Sequence, residues 1–485
     1  MKRLIQSGTW VFGICLLYSS NLLATTLEFE PCQIRQQAVK MDAECATLVQ
    51  AENPQDPEGR QVELFVARLA ATSANPANDA FTVIQGGPGG SSIDLAISMH
   101  NVLELVRRKR DVLIVDQRGT GRSNELNCDS AEIEYEFDIE QLTKLTRACE
   151  SKLSSFADLR YYTTSIAVQD LDAVRRAAGY PQLSIYGVSY GTRVAQHYLR
   201  RFPEHTRLLV IDGVVDVGLN LAGPEIALRS QAAFDNMAQR CQQDSACDKQ
   251  FGNIKNKFNQ VQKRLKQAPV TIASRHPRSG EQVEMKITES DLLTSVRLMP
   301  YYTETLSLLP LLIARAYEGD YGLLASQSQL TAESLEQSLS IGMHNSVACT
   351  EDEPFVDYQN KVSAASTYFG DQMQESLKAS CTHWPRGILD DDFHQTFDSD
   401  KPVLVLSGET DPITPPSNGA RAAQMFSNSL HITVPDHGHG VVSRGCMPYL
   451  LSDFLEFVDL TSLNTQCVNR ERATPFFISG SGPQP

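Results

Sequence analysis

Residues 184–192 have the sequence SIYGVSYGT, in which Gly187 and Gly191 flank Ser189 at equal spacing. An apolar, strand-like run precedes this stretch and a helix-like run follows it. Such spacing is typical of a nucleophile on a sharp strand-to-helix turn, where a Cβ at either glycine would collide with its neighbours. We therefore predict that Ser189 is a catalytic nucleophile held at the edge of a sheet.

The surrounding sequence alternates short apolar runs with helical patterns. FTVI (81–84), DVLIVD (111–116) and RLLVIDG (207–213) are typical of buried parallel strands, and the amphipathic runs between them have helical spacing. The same alternation returns at KPVLVLSGETDP (401–412) and LHITVPDHGHG (430–440). The chain is therefore predicted to have an α/β fold with a mostly parallel sheet flanked by helices.

A strand-poor, helical stretch interrupts this pattern. We predict a signal peptide at 1–24, a first part of the sheet domain at 25–216 and a large helical cap insertion at 217–400. The second part of the sheet domain follows at 401–470, and a loose tail at 471–485. At 485 residues the chain is long enough for one large domain with an insertion. A cap over the ends of the strands would lie where such sheets bind their ligands.

A serine hydroxyl needs a base to accept its proton and an acid to orient that base. The loops after the late strands offer both. Asp411 in GETDPITPP is the acid candidate and Glu409 its alternative; His439 in DHGHG is the base candidate and His437 its alternative. His439 is preferred because glycine on both sides gives its ring room to turn. A structural role for HGH, or its use as a metal site, is the competing interpretation, although third and fourth metal ligands are not evident.

The stretch QGGPGG at 85–90 follows an apolar run and contains no Lys or Arg, which argues against a phosphate-binding loop. Acyl transfer develops negative charge on the carbonyl oxygen, and backbone N–H groups there lower the barrier. We predict that the amides of Gly87 and Tyr190 form this oxyanion hole. A tight turn without catalytic meaning is the alternative.

Charge and the amino terminus restrict partners and location. A formal net charge of -15 argues against nucleic acid and anionic membrane surfaces as partners.

The amino terminus predicts an export signal. It consists of Lys2 and Arg3, the apolar run WVFGICLL and Ala24 as a cleavage edge. The run is too short for a membrane span, the alternative interpretation. We expect an exported protein, periplasmic or secreted, with no stable membrane anchor.

Cysteine usage supports export independently. The sequence has 11 cysteines, and Cys15 lies within the predicted signal, which leaves ten. Sequential neighbours would form five local disulfides in an oxidising compartment, although sequence alone does not fix the connectivity. The neighbours are Cys32 and Cys45, Cys128 and Cys149, Cys241 and Cys247, Cys349 and Cys381, and Cys446 and Cys467. Paired CxxC or Cys/His clusters, which a metal would require, are not present.

Together, QGGPGGSS, DVLIVDQRGTGRS, SIYGVSYGT, GETDPITPP and GHG resemble the serine aminopeptidase branch of the α/β-hydrolases, from about Cys32 to Cys467. That branch contains the proline iminopeptidases and the secreted bacterial tripeptidyl aminopeptidases. The resemblance implies an α/β-hydrolase fold, a triad of Ser189, Asp411 and His439, and an oxyanion hole at Gly87 and Tyr190. Gln85 stands where proline iminopeptidases have histidine, which favours the tripeptidyl type.

The family cleaves from a free N-terminus, so a group that binds the substrate ammonium is expected. Glu351 and Asp352, in ACTEDEP after Cys349, are the candidates, and a solvated acidic turn is the alternative interpretation. Arg118 and Arg122 are interpreted as structural residues that brace the turn after a strand.

The sequence thus predicts an exported serine exopeptidase that releases an N-terminal residue or short peptide through an acyl-enzyme, of the prolyl or di-/tripeptidyl type. We expect a monomer that acts on peptides with a free N-terminus, without nucleic acid, metal or organic cofactor. An exported esterase or lipase-like hydrolase with the same triad is the first alternative. A binding protein without catalysis is the second.

Overall fold

The computed structural model describes residues 26–128, 139–218, 224–358 and 364–483. The predicted signal peptide, residues 1–24, lies outside these ranges. Within them, no helix is both long enough and apolar enough to span a bilayer.

The strands of the described ranges are β1 Glu30–Gln36, β2 Val39–Ala51, β3 Gln61–Leu69, β4 Ala80–Ile84, β5 Val112–Val115, β6 Leu183–Val188, β7 Thr206–Asp212, β8 Val270–Arg275, β9 Gln282–Ile287, β10 Val403–Gly408 and β11 Ser429–Val434. The α-helices are α1 Ser92–Ser98, α2 His100–Val106, α3 Ile139–Leu153, α4 Thr164–Ala177, α5 Tyr190–Arg201, α6 Pro224–Gln243, α7 Ser245–Phe251, α8 Ile254–Gln267, α9 Glu289–Leu298, α10 Thr303–Leu306, α11 Leu309–Glu318, α12 Gly322–Ser338, α13 Ile341–Val347, α14 Gln372–Cys381, α15 Pro416–Ala423 and α16 Met447–Phe457.

A nine-stranded sheet forms the centre of the fold, in the order β1-β2-β3-β5-β4-β6-β7-β10-β11. β1, β2 and β3 pair antiparallel, β3 also pairs antiparallel with β5, and the strands from β5 to β11 are parallel. Alternate residues of β6 enter two apolar clusters, Ile185 one and Tyr186 the other. Burial on both faces explains why the parallel strands appear in the sequence as continuous apolar runs.

The carboxyl ends of the parallel strands meet at one edge of the sheet, where open α/β sheets place their ligand sites. The loops after β4, β6, β7, β10 and β11 therefore lie side by side, although they are far apart in the sequence. They contain the predicted oxyanion loop, the predicted nucleophile, the predicted acid and the predicted base, and Asp212, the last residue of β7, lies at the same edge.

Residues 217–400, the inserted region, lie between β7 and β10 and contain α6 to α14. A third apolar cluster packs their helices together. The region also contains the antiparallel pair β8 and β9, which the sequence did not reveal because VTIASR and QVEMKI are short and partly polar. The proposed domain boundaries remain a prediction.

The described part of the predicted loose tail, 471–485, makes packing contacts with the inserted region. The ring of Phe476 is 4% exposed and lies in the third apolar cluster, with the guanidinium of Arg240 above it. The amide of Phe477 donates to the carbonyl oxygen of Ser307 at 3.0 Å. The buried Phe476 and the partly buried Phe477 therefore anchor a segment whose Gly, Ser and Pro content indicates a loop.

All five disulfides between sequential cysteine neighbours are present, with Cα–Cα distances from 5.1 to 6.3 Å. Cys32 and Cys45 join β1 to β2, and Cys349 and Cys381 join two parts of the inserted region. Disulfides form and persist in oxidising compartments, so their presence is consistent with an exported protein.

Candidate active site

Ser189 lies on a strained turn between β6 and α5. Its backbone has φ 56° and ψ −127°, a region that residues with a side chain rarely adopt. A Cβ on Gly187 would approach the carbonyl oxygen of Gly191, and one on Gly191 that of Ile84, both closer than 3.0 Å. The two glycines are therefore needed for the close approach of backbone segments that presents Ser189.

The loops after β10 and β11 bring Asp411 and His439 together. Asp411 Oδ2 lies 2.7 Å from His439 Nδ1, and Asp411 Oδ1 accepts the amides of Ile413 and Thr414, each at 2.9 Å. The hydroxyl of Thr414 donates to Asp411 Oδ2 at 2.7 Å and lies 3.0 Å from His439 Nδ1. Thr414 is not among the residues predicted from the sequence, although its place three residues after the acid could have indicated it.

The charges of this pair stabilise each other. Burial alone would raise the pKa of Asp411, but His439 and the two backbone amides outweigh it and hold that pKa below its usual value. Burial alone would lower the pKa of His439, but Asp411, and then Asp212, outweigh it and raise that pKa. The pair thus favours an imidazolium next to a carboxylate, the state that a base reaches when it has taken a proton.

The alternative acid and base have other partners. Glu409 Oε2 accepts the amide of Asp436 at 2.9 Å. His437 Nδ1 lies 2.8 Å from the carbonyl oxygen of Pro435. The structure therefore favours Asp411 and His439 over Glu409 and His437.

The imidazole of His439 lies beside the nucleophile turn. The amide of Ser189 donates to the carbonyl oxygen of Asp212 at 2.9 Å, and a Cβ on the next residue, Gly213, would come within 2.9 Å of His439 Cε1. In the described part of the chain the Ser189 hydroxyl forms no hydrogen bond with another residue. Catalytic hydrogen bonds are often long before substrate binds and tighten in the complex.

The inserted region also contacts the base. The carbonyl oxygen of Tyr301 accepts the amide of His439 at 2.8 Å, and the two rings pack edge to face with centroids 5.0 Å apart. Burial raises the pKa of Tyr301 to about 12, so its phenol stays neutral. The loop of the base is therefore fixed by contacts to both the sheet and the inserted region.

Two backbone amides are available near Ser189. Tyr190 is the first residue of α5, and the first amides of a helix have no intrahelical partner. The amide of Gly86 is bound by the side chain of Gln85 at 2.8 Å, whereas that of Gly87 has no hydrogen-bond partner among the described residues. A Cβ on Gly86 would lie 2.6 Å from Ser189 Cβ, which shows how closely this loop approaches the nucleophile.

Glu351 and Asp352, the candidates for binding a substrate amine, lie in a π-helix at Ala348–Asp352 and are at most 1% exposed. Arg193, on α5, donates to Glu351 at 3.3 Å and to Asp352 at 2.8 and 3.1 Å. Their placement does not support direct binding of an amine, because a buried ion pair already occupies both carboxylates. A polar sequence such as ACTEDEP does not reveal that its charges are buried.

This buried cluster also supports the nucleophile turn. Glu351 accepts the amide of Thr164 at 2.7 Å and its hydroxyl at 3.0 Å, and that hydroxyl lies 2.6 Å from the phenol oxygen of Tyr190. The side chain of Tyr190 is thereby held in the core while its amide points to the start of the helix. Glu351 and Asp352 therefore act, through Thr164 and Arg193, as structural supports of α5.

We expect Glu351→Gln to change how stability depends on pH. Burial outweighs Arg193 and raises the pKa of Glu351 to about 7. A group with a raised folded-state pKa contributes stability that is complete at low pH and is lost as pH rises through about 7. Glutamine does not titrate. Between pH 4.5 and pH 8 the free energy of unfolding of the variant should therefore fall by about 3 kcal/mol less than that of the wild type. Urea unfolding at several pH values measures the difference, and parallel curves for the two proteins would contradict it.

Arg118 and Arg122 have the structural roles expected of them. The buried guanidinium of Arg118 binds Asp170 through two hydrogen bonds of 2.5 and 2.7 Å. That of Arg122 lies 4.0 Å from the ring centroid of Phe65. Both side chains hold the turn after β5 against neighbouring elements.

Comparison with known families agrees with this geometry. The family described as alpha/beta hydrolase fold matches residues 79–286, and the family described as TAP-like protein matches residues 366–467. The first match includes Gly87 and Ser189, and the second includes Asp411 and His439.

Curated relatives align over most of the chain. The serine protease Hip1 of Mycobacterium tuberculosis (strain H37Rv) is 24% identical over 463 residues, 87% of each chain. The tripeptidyl aminopeptidase of Streptomyces lividans is 24% identical over 428 residues, 79% of this chain and 76% of the relative. Carboxylesterase B of M. tuberculosis (strain CDC 1551) is 26% identical over 454 residues, 85% of each chain. Among solved structures, a proline iminopeptidase-related protein of Thermus thermophilus is 16% identical, with 87% of this chain and 99% of that chain covered and a TM-score of 0.39.

The sheet order, the strained turn and the family match together show the α/β-hydrolase fold. Within that class, the TAP-like match and the relatives confirm the predicted resemblance to the serine aminopeptidase branch.

Proposed function

We propose that the protein is an exported serine aminopeptidase that removes an N-terminal residue or short peptide through an acyl-enzyme. The observation that carries the proposal is the hydrogen-bonded pair of Asp411 and His439 beside Ser189 on its strained turn. Relatives named serine protease and tripeptidyl aminopeptidase support a peptide substrate.

In this mechanism the Ser189 hydroxyl attacks the carbonyl carbon of the scissile bond, and His439 takes the hydroxyl proton. Asp411 keeps Nδ1 protonated, so that Nε2 is the basic nitrogen. The amides of Gly87 and Tyr190 bind the oxyanion, and each such donor lowers the barrier by about 3–4 kcal/mol. His439 then protonates the leaving amine. A water molecule, activated by the same ring, hydrolyses the ester and releases the N-terminal fragment.

The inserted region would limit substrate length. A Cβ on Gly87 would lie 2.8 Å from Leu339 Cδ2, so this side chain covers the oxyanion loop. Tyr301, also in the inserted region, packs against the ring of His439. Both the oxyanion loop and the base are thus in contact with the inserted region, and such a covered site suits a short peptide end better than the middle of a folded chain.

Selectivity for a free amine provides the test. A charge-assisted hydrogen bond contributes about 1.5–3 kcal/mol, so free-amine peptidyl anilides should exceed their N-acetylated forms by about tenfold or more in kcat/KM. Alanyl, alanyl-prolyl and tripeptidyl p-nitroanilides, each with and without an acetyl group, would measure this and the number of residues released. Equal kcat/KM for both forms would remove the aminopeptidase assignment while leaving a serine hydrolase.

Esterase activity is the second candidate, favoured by the relative named carboxylesterase B. It would give efficient hydrolysis of short p-nitrophenyl esters together with no preference for an amine. The same enzyme preparation tested on p-nitrophenyl butyrate and on alanyl p-nitroanilide separates the two, because each substrate releases a chromophore that is followed by absorbance.

A further inference from the structure

Asp212, the last residue of β7, is a fully buried carboxylate that the mechanism above does not use. Its Oδ2 accepts the amide of Val441 at 2.8 Å, the amide of Val442 at 2.9 Å and the hydroxyl of Tyr186 at 3.0 Å. A buried carboxylate is costly unless it is hydrogen-bonded, and these three donors satisfy one of its two oxygens.

The position of Asp212 connects the two halves of the catalytic pair. Its backbone carbonyl binds the amide of Ser189 at 2.9 Å. Its side chain binds the two amides that follow His439 by two and three residues, and Gly213 packs against the His439 ring. One residue thus holds the turn of the nucleophile through its main chain and the loop of the base through its side chain.

The hydrogen bonds favour the anionic form of Asp212. Burial raises the pKa of Asp212 above its usual value, and the amides of Val442 and Val441, the Tyr186 hydroxyl and the charge of His439 offset part of that rise. A proton on the carboxyl would have to sit on Oδ1, because Oδ2 already receives three donors, and Oδ1 has no hydrogen-bond partner among the described residues. A buried hydroxyl without an acceptor costs about 1–3 kcal/mol, so the ionised carboxylate fits the site better.

The charged and titratable groups around His439 are few. Asp411 and Asp212 both raise its pKa against the effect of burial. The phenol of Tyr186 bonds to Asp212, and that of Tyr301 packs on the imidazole. Arg297 acts on Tyr301, and Arg229 acts on Asp411 from farther out.

We propose that Asp212 is a positioning residue for the base, a second buried carboxylate that fixes the His439 loop against the nucleophile turn and stabilises the imidazolium. The proposal depends on the proposed function in one respect, that His439 is the base. It makes Asp212 distinct from the acid Asp411, which binds the ring itself.

Asp212→Asn tests the proposal, because asparagine keeps an oxygen that can accept the two amides but removes the charge. We expect kcat to fall by about 10²-fold with a smaller change in KM, since small displacements of catalytic groups have effects of that size. The acid limb of the kcat/KM profile should move to lower pH, because His439 loses a carboxylate that raises its pKa.

Asp116→Asn is the matched control. Asp116 follows β5, is fully buried, and accepts the amides of Ile93 and Arg122 and the hydroxyl of Ser91, the same set of donor types. The substitution Asp116→Asn should lower stability as Asp212→Asn does, yet leave the acid limb of the kcat/KM profile at its wild-type pH. Thermal unfolding of both variants shows whether each is folded before its kinetics are compared.

An acid limb at the wild-type position in Asp212→Asn would overturn the proposal, whether or not kcat falls. If Asp212→Asn does not fold, Asp212→Ser, which is also uncharged, is measured in the same way with the same two outcomes. Loss of all activity in Ser189→Ala together with an unmoved acid limb in Asp212→Asn would leave the proposed function intact and reject only the role of Asp212.

Discussion

Replacing Ser189 by alanine is expected to reduce kcat/KM by about 10⁴-fold or more, because loss of the nucleophile in a triad removes nearly all of its contribution. The fold should remain, since alanine fits the turn as well as serine does. Initial rates with a peptidyl p-nitroanilide measure the loss, and circular dichroism checks the fold.

Ser184→Ala is the control for this substitution. Ser184 lies on the same strand, β6, and donates to Asp79 at 2.6 Å, away from the carboxyl edge of the sheet. Its loss should lower stability but leave kcat/KM within a factor of about two or three, as for other changes outside the site. Full activity in Ser189→Ala would show that the nucleophile lies elsewhere.

Replacing Asp411 by asparagine is expected to lower kcat by about 10⁴-fold at neutral pH. The amide group of asparagine donates where the carboxylate accepts, so it favours the imidazole tautomer that leaves Nε2 protonated and unable to take the serine proton. The loss of charge also lowers the pKa of His439, which Asp411 raises in the wild type, and the acid limb should move to lower pH.

Glu409→Gln separates the two carboxylates that the sequence leaves open as the acid. Glu409 binds the amide of Asp436 and not the base, so its substitution should change kcat by less than about threefold. A large loss in Glu409→Gln with little change in Asp411→Asn would reverse the assignment. Rates for both variants on one substrate, corrected for the folded fraction, decide between them.

The parts of the site that sequence predicts are those with strict local requirements. Gly187 and Gly191 mark the turn because no Cβ fits there, and the acid and base each follow an apolar run that ends at the same edge of a parallel sheet. Between Asp411 and Glu409, and between His439 and His437, the sequence indicates a preference but leaves the alternative open, and the side-chain contacts in the structure favour the preferred residue. The choice depends on where each side chain points, and spacing in the sequence does not encode this.

Other features depend on tertiary packing and were not predictable. Glu351 and Asp352 have the composition of an exposed turn, and only their contact with Arg193 on another element shows that they are buried. Asp212 has the appearance of an ordinary strand end in RLLVIDG, because its partners Val441 and Val442 lie more than two hundred residues away. The segment with Phe476 and Phe477 likewise contacts groups that are distant in the sequence, the Arg240 guanidinium and the Ser307 carbonyl oxygen.

Covalent labelling with a fluorophosphonate, followed by peptide mapping of the adduct by mass spectrometry, tests directly whether Ser189 is the nucleophile. One adduct per chain is expected, on the Ser189 hydroxyl, and it should form slowly or not at all in His439→Gln. Absence of an adduct in the folded wild-type protein, or an adduct on a different residue, would contradict the assignment of Ser189.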